Sequence, residues 1–297
     1  MPEQRRQTLG YLLAFLGVAV FGATLPMTRL AVGDMGPGFL TTGRATLAGL
    51  IALAVLAAAR RPLPPRAAWW RIALGAALLA AGFPGFSALA MQSVPAFHGG
   101  VVLGVLPLAT AIAATLIDRE RPSPAFWLCG VAGAAVLTAF ALRRGGGHVQ
   151  VADLWLIGAI LSTSIGYTVS AQLARSMPGW EVISWQVVFL LPLSLVGAWW
   201  FWPPGAAALP GRDWLAFLYL GVMSQYVGFF FWNAGLAITG IARGGQVQLL
   251  QSFITLGISA LLLGEAIEPE TYVFAGIIVA LVAAGRRARV ARATART

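Results

Sequence analysis

The sequence predicts an all-α polytopic membrane protein of ten transmembrane helices arranged as two inverted five-helix repeats. Three observations predict it. Of 297 residues, 59% are hydrophobic and only 10% charged, with mean hydropathy +0.80, a balance that a water-facing globular surface does not carry. Several apolar stretches reach the roughly 20 residues that span hydrocarbon, and they recur along the whole chain. The second half, finally, echoes the first at a nearly constant displacement.

The apolar segments predict spans near 9–32, 36–59, 69–92, 96–117, 124–142, 153–177, 180–202, 212–238, 241–263 and 271–285. Arg5-Arg6 ahead of the apolar run from Leu9 has the outline of a signal peptide. The segment has a counterpart in the second half, so it is read as the first span. Ten spans place both termini on one side. All twenty basic side chains are Arg. Fifteen fall on the side of the termini: Arg5, Arg6, Arg60, Arg61, Arg66, Arg71, Arg119, Arg121, Arg175, Arg243 and five from Arg286 to Arg296. Four fall on the other: Arg29, Arg143, Arg144 and Arg212. The positive-inside rule then makes both termini cytoplasmic in a bacterial inner membrane. The net charge of +10 thus follows topology, and no aromatic-laced basic patch points to nucleic acid. Cys129 stands alone, so no disulfide framework or thiolate metal site is available.

The polar, glycine-rich stretch Arg143-Arg144-Gly145-Gly146-Gly147-His148 marks a seam, with a first repeat over 1–145 and a second over 146–297. His98-Gly99-Gly100-Val101-Val102 recurs as Arg243-Gly244-Gly245-Gln246-Val247, and Glu120 as Glu265, both 145 positions on. Gly22-Ala23-Thr24 meets Gly166-Tyr167-Thr168, and Gly82-Phe83 meets Gly228-Phe229, at 144 and 146. An odd number of spans per half turns the second upside down relative to the first, the architecture of alternating-access carriers.

Phe21-Gly22-Ala23-Thr24-Leu25-Pro26, Arg44-Ala45-Thr46-Leu47-Ala48-Gly49, Pro107 through Asp118-Arg119-Glu120-Arg121-Pro122, and Leu263-Gly264-Glu265 resemble motifs of the drug/metabolite transporter superfamily. The resemblance covers nearly the whole chain. It is to the EamA-type ten-helix exporters, closest in overall likeness to the bacterial aromatic amino-acid exporters of the YddG type. It implies an inverted-repeat carrier, often an exporter of amino acids, other metabolites or drugs. Gln251-Ser252 stands where relatives often carry Glu-Pro, which sets aside a function that depends on that carboxylate.

Residues able to bind a solute fall on five of the expected spans. Gln248, Gln251, Ser252, Thr255 and Ser259 share one stripe of the ninth span, facing the interior because lipid penalises each group. The alternative is interhelical hydrogen bonding. Gln225, Phe229 and Trp232 share a face of the eighth span, and repeat symmetry sets Phe83 and Phe86 on the matching face of the third, an arrangement able to cage apolar or cationic ligands. Tyr167 and Thr163 flank a ridge of Ser162, Gly166 and Ser170 in the sixth span and reach toward the same centre. His98, at the external end of the fourth span, is a candidate to bind substrate or titrate. Arg44, well inside the second, needs a partner, carbonyls or a wet cavity. The expected substrate-binding set is therefore Phe83, Phe86, His98, Tyr167, Gln225, Phe229, Trp232, Gln248, Gln251 and Ser252.

No acidic residue sits near the middle of a span. Transport then follows the substrate's own gradient, or coupling uses His98 or a terminal Glu such as Glu265. A zinc helix, a Gly-x-Ser-x-Gly elbow and a Walker phosphate loop are all missing from the sequence, which argues against a membrane enzyme and an ATP-driven pump. No cofactor, metal or catalytic residue is expected, and nothing in the sequence bears on oligomeric state. The expected partners are the lipid bilayer and a small-molecule substrate: neutral and aromatic amino acids first, other metabolites or drugs as the alternative. A selective channel is the rival from another class.

Overall fold

The computed structural model describes residues 3–145, 151–263 and positions 269–270, 273, 276–277, 280–281, 284 and 290–292. Among these residues nine helical segments pack into one bundle: α1 Glu3–Met35, α2 Pro37–Ala58, α3 Arg66–Met91, α4 Ala96–Ile117, α5 Pro124–Gly145, α6 Val151–Leu173, α7 Gly179–Trp200, α8 Gly211–Thr239 and α9 Ile241–Leu263. They answer to the first nine expected spans. Most of the tenth, 271–285, lies outside the described residues, as do Glu265 and the centre of the seam. Two three-residue strands, β1 Glu120–Pro122 and β2 Val290–Arg292, pair antiparallel with Glu120 opposite Arg292.

Several sharp corners follow from single residues. Gly36 alone separates α1 from α2 and Gly240 alone separates α8 from α9, at φ 73° and 87° respectively. A side chain at either position would be strained by that left-handed backbone. Large apolar side chains on the outer faces remain exposed, as on α7, where Leu193, Val196, Trp199 and Trp200 face outward. In a bilayer those faces meet lipid, and the tryptophans at the end of α7 suit the interfacial zone.

The two halves interlock. α1 packs on α8 while α6 packs on α3; α4 packs on α6 while α9 packs on α1; α2 lies along α7. Exchanging α1 with α6, α2 with α7, α3 with α8 and α4 with α9 carries each of these contacts into another. Helix irregularities recur in the same way. A π-helical turn occupies Ala76–Gly82 in α3 and Tyr219–Val227 in α8, each just ahead of a Gly-Phe or Phe pair. A 3-10 turn occupies Leu103–Val105 in α4 and Gln246–Gln248 in α9.

Prolines account for part of this pattern, because each removes the N–H that an α-helix needs four residues earlier. Pro26 leaves the Gly22 carbonyl without its helical donor, α1 breaks at Ala23, and Thr255 Oγ1 of α9 donates to Gly22 O at 2.7 Å. Pro84 does the same to Ala80, whose carbonyl accepts from Gln225 Nε2 of α8 at 3.3 Å. In each case a polar side chain of the second half satisfies backbone freed in the first, as a bilayer requires.

Candidate functional site

The π turns of α3 and α8 bring Phe83 and Phe229 to the centre of the bundle. Each follows a glycine at a close helix contact. A Cβ on Gly82 would meet Ser162 Oγ of α6 at 2.8 Å, and one on Gly228 would meet the Phe21 ring of α1 at 2.8 Å. Side-chain-free contacts thus let α3 approach α6 and α8 approach α1.

Between these helices lies a cavity with about 360 Å³ of space between atoms, lined by Phe21, Arg44, Leu79, Phe83, Leu106, Thr163, Tyr167, Ser224, Gln225, Phe229 and Gln251. In this conformation its side chains leave room for about one water molecule, so a solute enters only when they move apart. A second crevice, lined by Thr41, Ala80, Leu190 and Leu193 among others, borders an outward-facing residue, since Leu193 is 74% exposed.

One wall of the central cavity is aromatic. The Phe21 and Phe229 centroids lie 4.9 Å apart, and those of Tyr167 and Phe229 lie 6.0 Å apart, edge to face. Trp232 backs this wall, 4.9 Å from Tyr167 and 6.3 Å from Phe21, wholly buried. Such tilted and edge-on pairs are the favoured aromatic arrangements. The Trp232 indole N–H has no acceptor among the described residues.

The rest of the lining is polar. Arg44 is 3% exposed, and its Nη2 donates to Ser224 Oγ at 2.9 Å. The Ser224 and Thr24 hydroxyls are in turn 2.7 Å apart, so the guanidinium ties α2 to α8 and α1. Gln251 Oε1 has no donor among the described residues. Gln225 lines the space while its amide is held by Ala80 O.

Of the ten residues expected from sequence, Phe83, Tyr167, Gln225, Phe229 and Gln251 line this cavity. The others sit around it or away from it. Trp232 is behind the aromatic wall. Gln248 is buried, accepts from Thr110 Oγ1 at 3.5 Å and interacts with the Tyr167 side chain. Ser252 donates to Gly100 O at 2.7 Å, joining α9 to α4. Phe86 stacks on Trp155 at 6.1 Å. His98 Nε2 lies 2.7 Å from Asp153 Oδ1, joining α4 to the start of α6. The lining also holds Phe21, Leu79, Leu106 and Ser224, which sequence reasoning did not single out.

The sequence profile of the EamA-like transporter family matches residues 8–141 and, a second time, residues 150–284. The chain belongs to the EamA-like transporter family. This EamA-family chain is a multi-pass membrane transporter and not an enzyme. It is 38% identical over 282 residues to the uncharacterized transporter YdeK of Bacillus subtilis (strain 168), a match that covers 95% of this chain and 98% of YdeK. It is 25% identical over 268 residues to a probable terminal-alkyne amino-acid exporter of Streptantibioticus cattleyicolor, covering 86% of this chain and 85% of that one. A solved crystal structure with 20% identity aligns at a TM-score of 0.72 over 94% of this chain and 98% of its own. At that identity the likeness speaks for the EamA transporter's fold alone.

Proposed function

We propose that this chain exports neutral amino acids, aromatic ones included, across the bacterial inner membrane by alternating access through the central cavity. The observation that carries the reading is the make-up of the lining. Phe21, Phe83, Tyr167 and Phe229 present flat apolar surface beside the amides of Gln225 and Gln251 and the hydroxyls of Thr163 and Ser224. Burying one aromatic side chain against such rings contributes roughly 1.5–3 kcal/mol, while the amides and hydroxyls offer donors and acceptors to the polar end of an amino acid. The similarity to a probable terminal-alkyne amino-acid exporter supports the same substrate class by analogy. The two units that rock are the repeats 1–145 and 146–297, and no carboxylate among the described residues lines the cavity, which supports transport without obligatory proton coupling.

Proteoliposomes loaded with phenylalanine, leucine or threonine should exchange labelled substrate at similar rates with or without a pH difference. Unlabelled substrate on the far side should accelerate exchange, as a carrier requires and an open channel does not. Movement of a polyamine or a sugar and of none of the three amino acids would overturn the substrate assignment. Loss of flux without a proton gradient would overturn the uncoupled mechanism.

Both termini are assigned to the cytoplasm from the fifteen-to-four distribution of Arg. Single cysteines in a Cys129→Ala background check the orientation and the cavity together. Ala207→Cys, in the α7–α8 connection, should react with an impermeant thiol reagent on intact cells, and Arg66→Cys, at the start of α3, should react only after permeabilisation. Gln251→Cys should react with a small permeant reagent and be protected by phenylalanine, whereas Ser252→Cys, held against Gly100, should react at least tenfold more slowly. Equal inertness at positions 251 and 252 would count against a water-accessible site there.

A further inference from the structure

Arg44 is the eighth residue of α2, about 10 Å along the axis from Pro37 at 1.5 Å per residue. It is 97% buried by exposure of 3% and lines the central cavity. Its Nη2 has Ser224 Oγ as partner, and among the described residues its Nε has none and it joins no ion pair. The ion pairs formed among the described residues join other groups: Glu181 with Arg61, Asp153 with His98, Asp118 with Arg175 and Asp213 with Arg212. A hydroxyl dipole does not neutralise a guanidinium, and an unpaired charge at this depth is costly enough that a purely structural tie between α2 and α8 is better made by a neutral amide. A guanidinium with unused donors facing a cavity matches one kind of ligand group above others, a carboxylate accepting two parallel hydrogen bonds. Across the same lining, Gln251 offers the complementary feature, a buried carbonyl oxygen without a donor among the described residues.

Resting on the reading of this cavity as the transport site, we propose that Arg44 receives the substrate's carboxylate and Gln251 Oε1 its ammonium, so that a free carboxylate is the feature the carrier selects. The aromatic wall then takes the side chain. Arg44 gains its counter-ion only when substrate is bound, which ties occupancy of the cavity to the α1–α2–α8 contact made through Ser224 and Thr24.

Two probes with the same ring and one pole each separate the groups: 3-phenylpropionate carries the carboxylate and phenethylamine the ammonium. Binding of each to the purified full-length protein in detergent is read by quenching of intrinsic fluorescence and by the rise in unfolding temperature. The wild type should bind 3-phenylpropionate at least tenfold tighter than phenethylamine. Arg44→Gln should erase that preference, weakening 3-phenylpropionate binding at least tenfold without weakening that of phenethylamine, from which a like charge has been removed, and Arg44→Lys, which keeps the charge without the planar fork, should retain part of the preference. Absence of the preference in the wild type, including failure to bind 3-phenylpropionate at millimolar concentration, overturns the proposal even if Arg44→Gln does not fold. A preference that survives in a folded Arg44→Gln protein overturns it too. If the preference depends on Arg44 but labelled phenylalanine does not exchange in proteoliposomes, the amino-acid assignment falls and the carboxylate site stands. If phenylalanine exchanges without that preference, the carboxylate site falls alone.

Discussion

Trp232→Ala should destabilise the folded protein by about 3 kcal/mol and slow the exchange of phenylalanine more than that of threonine. Trp232 has 0% of its surface exposed, and its neighbours Tyr167 and Phe21 form the aromatic wall of the cavity. In a bilayer the apolar transfer contribution shrinks, because lipid is as apolar as the interior. The cost of the space left behind does not shrink, since its lining loses dispersion contacts outright. Tyr167 and Phe21 then lean into the gap, and a substrate that relies on ring surface loses its wall while threonine does not. Trp232→Phe should recover most of the stability, and Trp199→Ala, on an outward face with 75% exposure, should shift it by less than about 0.5 kcal/mol. Thermal unfolding in detergent and counterflow in liposomes measure the two effects separately. Equal slowing of phenylalanine and threonine at full stability would show that Trp232 does not support the wall.

Gly235→Leu should prevent accumulation of folded protein. A Cβ at this position would lie 2.6 Å from Ala14 N and 2.9 Å from Gly10 O, both backbone atoms of α1. Neither is the end of a flexible side chain that can turn away, so any side chain must push α1 off α8. Small residues recur along this seam: a Cβ on Gly10 would meet Ile238 and Thr239 at 2.8 Å, and one on Gly17 would meet Trp232 Cβ at 3.0 Å. This is the close small-residue packing that holds membrane helices together where no hydrophobic force acts between them. Gly235→Ala alone should cost about 1–3 kcal/mol. By contrast Gly33→Ala and Gly257→Ala, where a Cβ meets nothing within 4 Å, should be neutral or stabilising by up to about 1 kcal/mol. Monodisperse yield and unfolding temperature read the series. A Gly235→Leu protein as stable as wild type would mean that α1 and α8 are not in backbone contact there.

The ridge of Ser162, Gly166 and Ser170 lies on α6, which packs on α3 as α1 packs on α8. A Cβ on Gly166 would meet Leu79 of α3 at 2.5 Å, and Ser170 Oγ accepts from Gln186 Nε2 of α7 at 2.8 Å. Its small-residue spacing was legible in sequence, because residues four apart on a regular helix share a face whatever lies opposite. The Gly10, Ala14 and Gly17 ridge of α1 has similar spacing but is diluted by the alanines and glycines found throughout the chain.

The sequence by itself determined what is local: which segments are long and apolar enough to span, and the near-constant displacement between halves. It also determined that the polar stripe of α9 turns inward, since Gln248, Gln251, Ser252, Thr255 and Ser259 are all buried. Only the tertiary structure decided what each of them does there. Gln251 reaches the cavity, while Ser252 and Thr255 donate to backbone carbonyls of α4 and α1. Likewise Phe83 reaches the cavity, while Phe86 one turn on stacks against Trp155. The physical reason is phase. A regular helix advances about 100° per residue, but a π turn is wound more loosely and a 3-10 turn more tightly, so the face that a later residue presents shifts at every such turn. α3, α4, α8 and α9 each contain one. The role of a polar or aromatic side chain beyond those turns therefore depends on which neighbouring helix supplies its partner, as Ser224 and Thr24 do for Arg44.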